Sequence, residues 1–417
     1  MFRLLLTLTI WAGHSLTCLS ASLTIALTGD IMMGTTYPTP RLPRGDGKYL
    51  FRDTRDILRQ ADLAVGNLEG TLCDKGETRK EGKANNYAFR TPTSYAWWLK
   101  DAGYDFVSMA NNHSFDFGIE GVISTEHALR QQGIAFAGIA GRSETAVVMR
   151  QGVRIGLCAL GHNSYTVSHL DLKKVGKLLK QLRQQCDIII VSFHGGAEGT
   201  AQSHVPNGME GFLGERRGAL RQLAHYCIDH GADVVYGHGP HVVRGIEVYK
   251  GRFIAYSLGN FCTPFGISLQ GVSGYAPIVT VTIDHKGRFQ KGRIYSFIQS
   301  YGAGPRKQDG KRFLVAHQMK ALSETDFPHS DAWIDQRGNI GLIRYTRRSL
   351  TTICPPADTT FLPCNYHLPL QIKLISSANQ FTFLSKSICF PQQINLLSSA
   401  NQFTFLSKFI EIADQIH

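Results

Sequence analysis

The chain has 417 residues, with 44 Lys and Arg against 32 Asp and Glu, a formal charge of +12, and 43% apolar and 10% aromatic residues. This composition excludes a disordered chain, and the irregular placing of its 42 glycines excludes a collagen-like one. The basic excess would suit nucleic acid, an anionic membrane surface or an anionic polymer, but the basic residues are scattered without interleaved aromatics or any nucleic-acid motif, so no nucleic-acid partner is expected.

Residues 1–22 place Arg3 before an apolar run from Leu4 to Ala12 and close on small residues near Ala21. This pattern predicts a secretory signal peptide, and with it an exported protein of the periplasm or cell surface. No later stretch reaches the ~18–20 uninterrupted apolar residues of a membrane span. Nine cysteines with no CxxC pair leave no zinc ribbon or disulfide framework to read, and Cys158 and Cys227 fall inside apolar patterns as buried thiols.

Strand-like apolar runs follow at Leu23–Thr28, Ala61–Val65, Phe106–Met109, Val153–Ala159, Asp187–Phe193, Asp233–Tyr236 and Phe253–Leu258. Between them, helical spacing marks Asp53–Gln60, Thr93–Ala102, Gly121–Gln132, Leu170–Gln184 and Glu215–His230. A β-rich portion, Ile278–Ile283 and Phe289–Ile298, is joined at His285-Lys286-Gly287 as a hairpin. Alternation of this kind predicts one layered α/β domain over residues 23–350.

Residues 351–417 differ from the rest: their only charged side chains are Asp358, Lys373, Lys386, Lys408, Glu411 and Asp414. The stretch Gln371–Lys386 recurs as Gln393–Lys408, altered only at Lys373/Asn395 and Ile375/Leu397. Solenoid repeats vary outside their core and need about three copies, so this tail is expected not to form a folded domain.

Function is read from what closes the strands. Thr28-Gly29-Asp30, Gly66-Asn67-Leu68-Glu69, Ala110-Asn111-Asn112-His113, the run from His194 to Glu198, the run from Gly237 to His241, and Ser257-Leu258-Gly259-Asn260-Phe261 each follow an apolar run. In α/β sheets ligands gather outside the carboxyl ends of strands. Carboxylates, an Asn carbonyl and neutral imidazoles form a donor set for one or two divalent ions of Zn, Mn, Fe or Ni.

The segments GDIMMG (Gly29–Gly34), NLEG (Asn67–Gly70), ANNHSFDFG (Ala110–Gly118), FHGGAEG (Phe193–Gly199), GADVVYGHGPHVVRGIE (Gly231–Glu247) and YSLGNF (Tyr256–Phe261) resemble, in order, those of the CapA family of capsule or poly-γ-glutamate synthesis proteins, within the calcineurin-like metallophosphoesterases. The resemblance implies a double β-sandwich flanked by helices in four layers, αββα, with a two-metal site. It places Asp30 on the first metal, Glu69 as the bridge, Asn112 and His194 on the second metal, and His238 and His241 one on each. His113 is implied as the catalytic histidine. The sequence departs from the superfamily at Met32, where a histidine is expected, and in the spacing of His238 and His241. Asn67, Asp116, Glu198, His204 and Arg244 are candidates to orient those ligands or meet substrate; Asp116 could equally cap the helix near Gly118, and Arg244 and Arg90 could equally be structural.

Two functions follow. The first is an exported, metal-dependent hydrolase or transferase acting during assembly of an anionic surface polymer, working on the polymer or its precursor and alongside membrane synthase subunits. The alternative is a non-catalytic polymer-binding or synthase-scaffold protein with a degenerate site.

Overall fold

The computed structural model describes residues 22–343, apart from 79, 81–86 and 311. Residues 1–21 of the expected signal peptide (1–22) and the whole repeated tail lie outside the described residues.

Two sheets carry the architecture. One holds β1 (Leu23–Ile31), β2 (Leu63–Leu68), β5 (Phe106–Ser108) and β6 (Ala135–Ala137) in parallel. It continues on the other side of β1 through antiparallel β16 (Ile278–Ile283), β17 (Phe289–Tyr295), β19 (Asn339–Leu342) and β18 (Ala332–Ile334), while the short β15 (Asn260–Cys262) also pairs with β1. The other sheet runs β13 (Ile246–Tyr249), β14 (Arg252–Ala255), β12 (Val234–His238), β9 (Ile188–His194), β8 (Val153–Leu160) and β7 (Thr145–Arg150). Two ribbons stand apart: β3 (Thr71–Leu72) with β4 (Arg90–Thr91), and β10 (Glu210–Phe212) with β11 (Glu215–Gly218).

The period-2 alternation of strand side chains decides the layers. Ile25, Leu27 and Val65 of the first sheet share a core with Leu157, Ile190, Val234 and Phe253 of the second, so the sheets pack face to face. The alternate residues Ala26, Ala64 and Val107 face outward, where α1 (Arg55–Gln60), α2 (Ala96–Ala102) and α3 (Gly118–Gln131) cover them with Leu58, Leu99 and Leu129. On the opposite side α4 (Leu172–Arg183) and α5 (Leu220–Asp229) bring Val175, Leu179, Leu223 and Cys227 onto Cys158, Ile189 and Val235. The result is the expected αββα sandwich. A sixth helix, α6 (Leu314–Asp326), closes the shared core with Val315 and Met319.

Residues 215–218, expected to begin a helix, instead form β11. Gly218 adopts φ 105°, and the helix starts only at Leu220. The hairpin at His285-Lys286-Gly287 is present, with Gly287 at φ 72°. The body cysteines Cys73, Cys158, Cys186, Cys227 and Cys262 are free and buried. No helix among the described residues is long and apolar enough to cross a membrane.

Register positions the site. Asp30 stands opposite Asn67 on one side and Asn260 on the other, while His194 stands opposite His238 in the second sheet. Gly29 makes this approach possible, because a Cβ there would sit 1.9 Å from the Gly259 carbonyl oxygen.

Candidate metal centre

Two donor groups share Asp30: Asp30 with His194 and His238, and Asp30 with Glu69 and His241. The Asp30 Oδ1 atom accepts from Asn67 Nδ2 at 2.8 Å and lies 3.6 Å from His238 Nδ1 and 4.0 Å from His194 Nδ1. Its Oδ2 atom is 3.1 Å from His241 Nδ1. Glu69 Oε1 is 3.6 Å from His241 Nε2. The geometry thus makes Asp30 the residue common to both groups, where the family resemblance implies Glu69 as the bridge.

Asp30, Glu69, His194 and His238 have essentially no exposed surface. Buried polar atoms are normally paired. Yet both carboxylate oxygens of Glu69, Asn112 Oδ1 and His194 Nε2 have no hydrogen-bond partner, and Asp30 Oδ2 meets only the His241 imidazole. Unpartnered carboxylate oxygens of Glu69 and an imidazole nitrogen of His194, from the two donor groups that share Asp30, fit a divalent transition metal. Asp30, Glu69, His194, His238 and His241 would hold it.

The metal-free electrostatics agree. Burial disfavours the charged form of His241, but the carboxylates of Glu69, Asp30 and Glu198 outweigh it and push the imidazole up to about 10. Burial drives His238 down to about 4 and His194 well below the usual range, so both are neutral donors near pH 7. Burial would raise Asp30, but His241 and His238 beside it hold the carboxyl below its ordinary value. Burial and the Asp30 charge raise Glu69 well above its own. Metal uptake must therefore displace a proton from His241, and apparent affinity is expected to rise with pH up to about 10. Calorimetry in two buffers of different ionisation enthalpy checks this, and a pH-independent affinity without proton release contradicts it.

His241 is held in a strained place. Its φ of 58° is a left-handed conformation that histidine seldom adopts. Asn260 secures it twice: its Oδ1 lies 3.0 Å from His241 Nδ1, and its Nδ2 donates to the His241 carbonyl at 3.2 Å. Asn260 lies within the YSLGNF segment, but composition and spacing gave no sign of this role. Asn260→Ala is expected to weaken metal binding about 10–100-fold, the usual effect of removing a group that orients a ligand. Competition with a chelating dye measures it; wild-type affinity would sink the assignment.

His113 Nδ1 lies 2.9 Å from Asp116 Oδ2 and 2.9 Å from Lys80 Nζ, and Lys80 Nζ is 2.7 Å from Asp116 Oδ1. Asp116 also accepts from the Phe89 amide and makes no cap for α3. Burial lowers the His113 pKa, against the pull of Asp116. Phe89 lies over the imidazole at 4.3 Å between ring centroids. Lys80, unmarked by any motif, was not legible in the sequence.

Met32 is 1% exposed and packs near Gly70 and Gly266, so no imidazole replaces the missing ligand there. Of the remaining candidates, Asn67 orients Asp30. Glu198 faces His241 rather than His194, with Oε2 3.9 Å from Nε2. His204 is not brought into the cluster: its side chain is 62% exposed and pairs with Asp326 at 2.8 Å. Arg244 is wholly buried, forked onto Glu210 at 2.9 and 2.7 Å, and serves the fold. Arg90 bonds Thr36 and the Gly76 carbonyl in the same structural manner. Two histidines that the sequence did not single out, His162 and His169, lie against the His194 carbonyl at 3.5 and 3.2 Å.

A double β-sandwich between helical layers, with acidic, amide and imidazole donors at the strand ends, defines a metallophosphoesterase-like protein. The family described as bacterial capsule synthesis protein PGA_cap matches residues 24–264, and the chain belongs to that family. It is 28% identical to the capsule biosynthesis protein CapA of Bacillus anthracis over 260 residues, covering 57% of this chain and 59% of the relative. It is likewise 28% identical to the PGA biosynthesis protein CapA of Bacillus subtilis over 254 residues, covering 57% and 63%. The chain thus spans about three fifths of the length of these relatives. Among solved structures, the NAD nucleotidase of Haemophilus influenzae aligns with a TM-score of 0.39 at 12% identity, over 72% of this chain and 63% of that one.

Proposed function

We propose that the protein is an exported metal-dependent hydrolase or transferase that acts on an anionic surface polymer, or its precursor, during assembly. Its relatives' names place them in capsule and PGA biosynthesis. The observation that carries the catalytic reading is the set of buried, unpartnered donor atoms on Glu69 and His194, each in a donor group that shares Asp30. Keeping such groups buried without partners is costly for a scaffold and useful for a ligand-binding centre.

A divalent ion bound there would supply Lewis acidity and lower the pKa of a bound water. The chain's own residues do the rest. His238 and His194 stay neutral and donate lone pairs. Asn67 and Asn260 fix the orientation of Asp30 and His241. In this reading His113, held by Asp116 and Lys80, transfers a proton to the leaving oxygen or stabilises charge on it. Membrane synthase subunits are partners consistent with this role.

One observation favours the scaffold alternative: the apolar, buried Met32 subtracts a donor. Cells lacking the gene separate the two readings. Surface polymer should return with the wild type and fail to return with Asp30→Asn expressed at equal level. Full output with Asp30→Asn would favour the scaffold.

A further inference from the structure

The β10–β11 hairpin brings a second cluster to the edge of the metal centre. Its turn, Leu213-Gly214, has φ of 48° and 80°, the two-residue hairpin geometry that needs positive φ at both positions. Leu213 at the tip is 77% exposed, while the root is fixed by the buried Glu210–Arg244 pair and by the Ala197 amide on Glu210 Oε2. The Gly196 amide donates to the Arg217 carbonyl at 2.8 Å, binding the hairpin to the loop that follows His194.

The Arg217 side chain is 4% exposed. Its Nη1 lies 2.9 Å from Glu198 Oε1 and its Nε 2.9 Å from Glu215 Oε2, with Phe212 beneath the guanidinium at 5.3 Å. Neither nitrogen is aligned for a hydrogen bond to its carboxylate. Glu198 leads directly to His241, so Arg217 stands one side chain from the donor cluster. Two further buried atoms here lack hydrogen-bond partners, His162 Nε2 and His169 Nδ1.

The two carboxylates are unlike. Glu198 is 21% exposed and engaged with the centre, whereas Glu215 is 47% exposed next to the hairpin turn. An arginine fork recognises a planar carboxylate or a phosphate equally well, and a buried fork demands an anion at all times. Replacing Glu215 by an incoming anion keeps the charge count of the pocket constant.

We propose that Arg217 is the receptor for the anionic head group of the substrate, a carboxylate or a phosphate, and that Glu215 holds its place until the substrate arrives. The assignment rests on the polymer reading above and names the contact by which that polymer is recognised. Glu215 then swings out with the hairpin end, and His162, whose Nε2 lies 3.3 Å from its Oε2, faces the new anion in its place.

Isothermal titration of the metal-loaded full chain tests it with two probes, a short γ-linked glutamate oligomer and inorganic phosphate. Arg217→Gln should weaken binding of the recognised probe about tenfold or more, the loss expected for a charge-assisted fork. Glu215→Gln removes the internal competitor and should tighten binding several-fold, a gain that misfolding cannot mimic. The probe that responds to both variants identifies the head group. Wild-type binding that neither variant changes, or that Glu215→Gln weakens, overturns the receptor and leaves the polymer reading standing. A wild type that binds neither probe overturns both.

Discussion

His113→Asn lowers turnover by ~10²–10⁴, the range for a general acid–base group, while bound metal and melting temperature stay at wild-type values. The imidazole is buried and lies in contact with Asp116, Lys80 and Phe89, so its orientation is set by partners on three chain segments. Asparagine keeps a polar group of similar size but cannot accept and return a proton near pH 7. Because His113 is adjacent in sequence to Asn112 and not part of either donor group, metal content separates loss of chemistry from loss of the centre. The rate is read on the surface polymer or its precursor, with an aryl phosphoester in parallel. Wild-type turnover in the variant would remove His113 from the reaction.

Asp30→Asn costs more metal than any single histidine substitution. Asp30 belongs to both donor groups, whereas His194→Ala leaves Asp30, Glu69 and His241 together and His241→Ala leaves Asp30, His194 and His238. The amide keeps the shape of the side chain but removes the charge that attracts a cation in a buried, poorly screened site. It also withdraws a carboxylate that keeps His241 protonated in the metal-free state, which eases proton loss there, but this gain is smaller than the loss of an anionic donor from both groups. Elemental analysis should find Asp30→Asn essentially metal-free and each histidine variant partly loaded. Equal retention in all three would dissolve the shared role of Asp30.

Much of the sandwich was legible because its strands are buried on both faces and read as β-branched runs such as Ile188-Ile189-Ile190-Val191. The donor residues were legible for a related reason: a polar residue ending an apolar strand is conspicuous, as Asp30, His194 and His238 are. The β10–β11 hairpin was not. The period of Leu220, Leu223, Ala224, Cys227 and Ile228 extends backward in frame over Glu215, Arg216 and Arg217, and only the left-handed Gly218 stops it. Roles set by long-range register were equally hidden. Asn260 reaches His241 because β15 pairs with β1, Lys80 reaches His113 across 33 residues, and neither relation has a local period. That Asp30 rather than Glu69 is shared depends on where two carboxylate oxygens point, which spacing does not encode. His204, close to His194 in sequence, was misleading for the opposite reason: the chain turns outward through Thr200–Gln202 and leaves it on Asp326.

The central claim is that these donors form a transition-metal centre. Purified full chain, prepared without chelator and desalted, should carry at least one equivalent of Zn, Mn, Fe or Ni by elemental analysis, lose it to a strong chelator and recover it on re-addition. Protein that retains none of these metals, both as isolated and after incubation with each, would contradict the account.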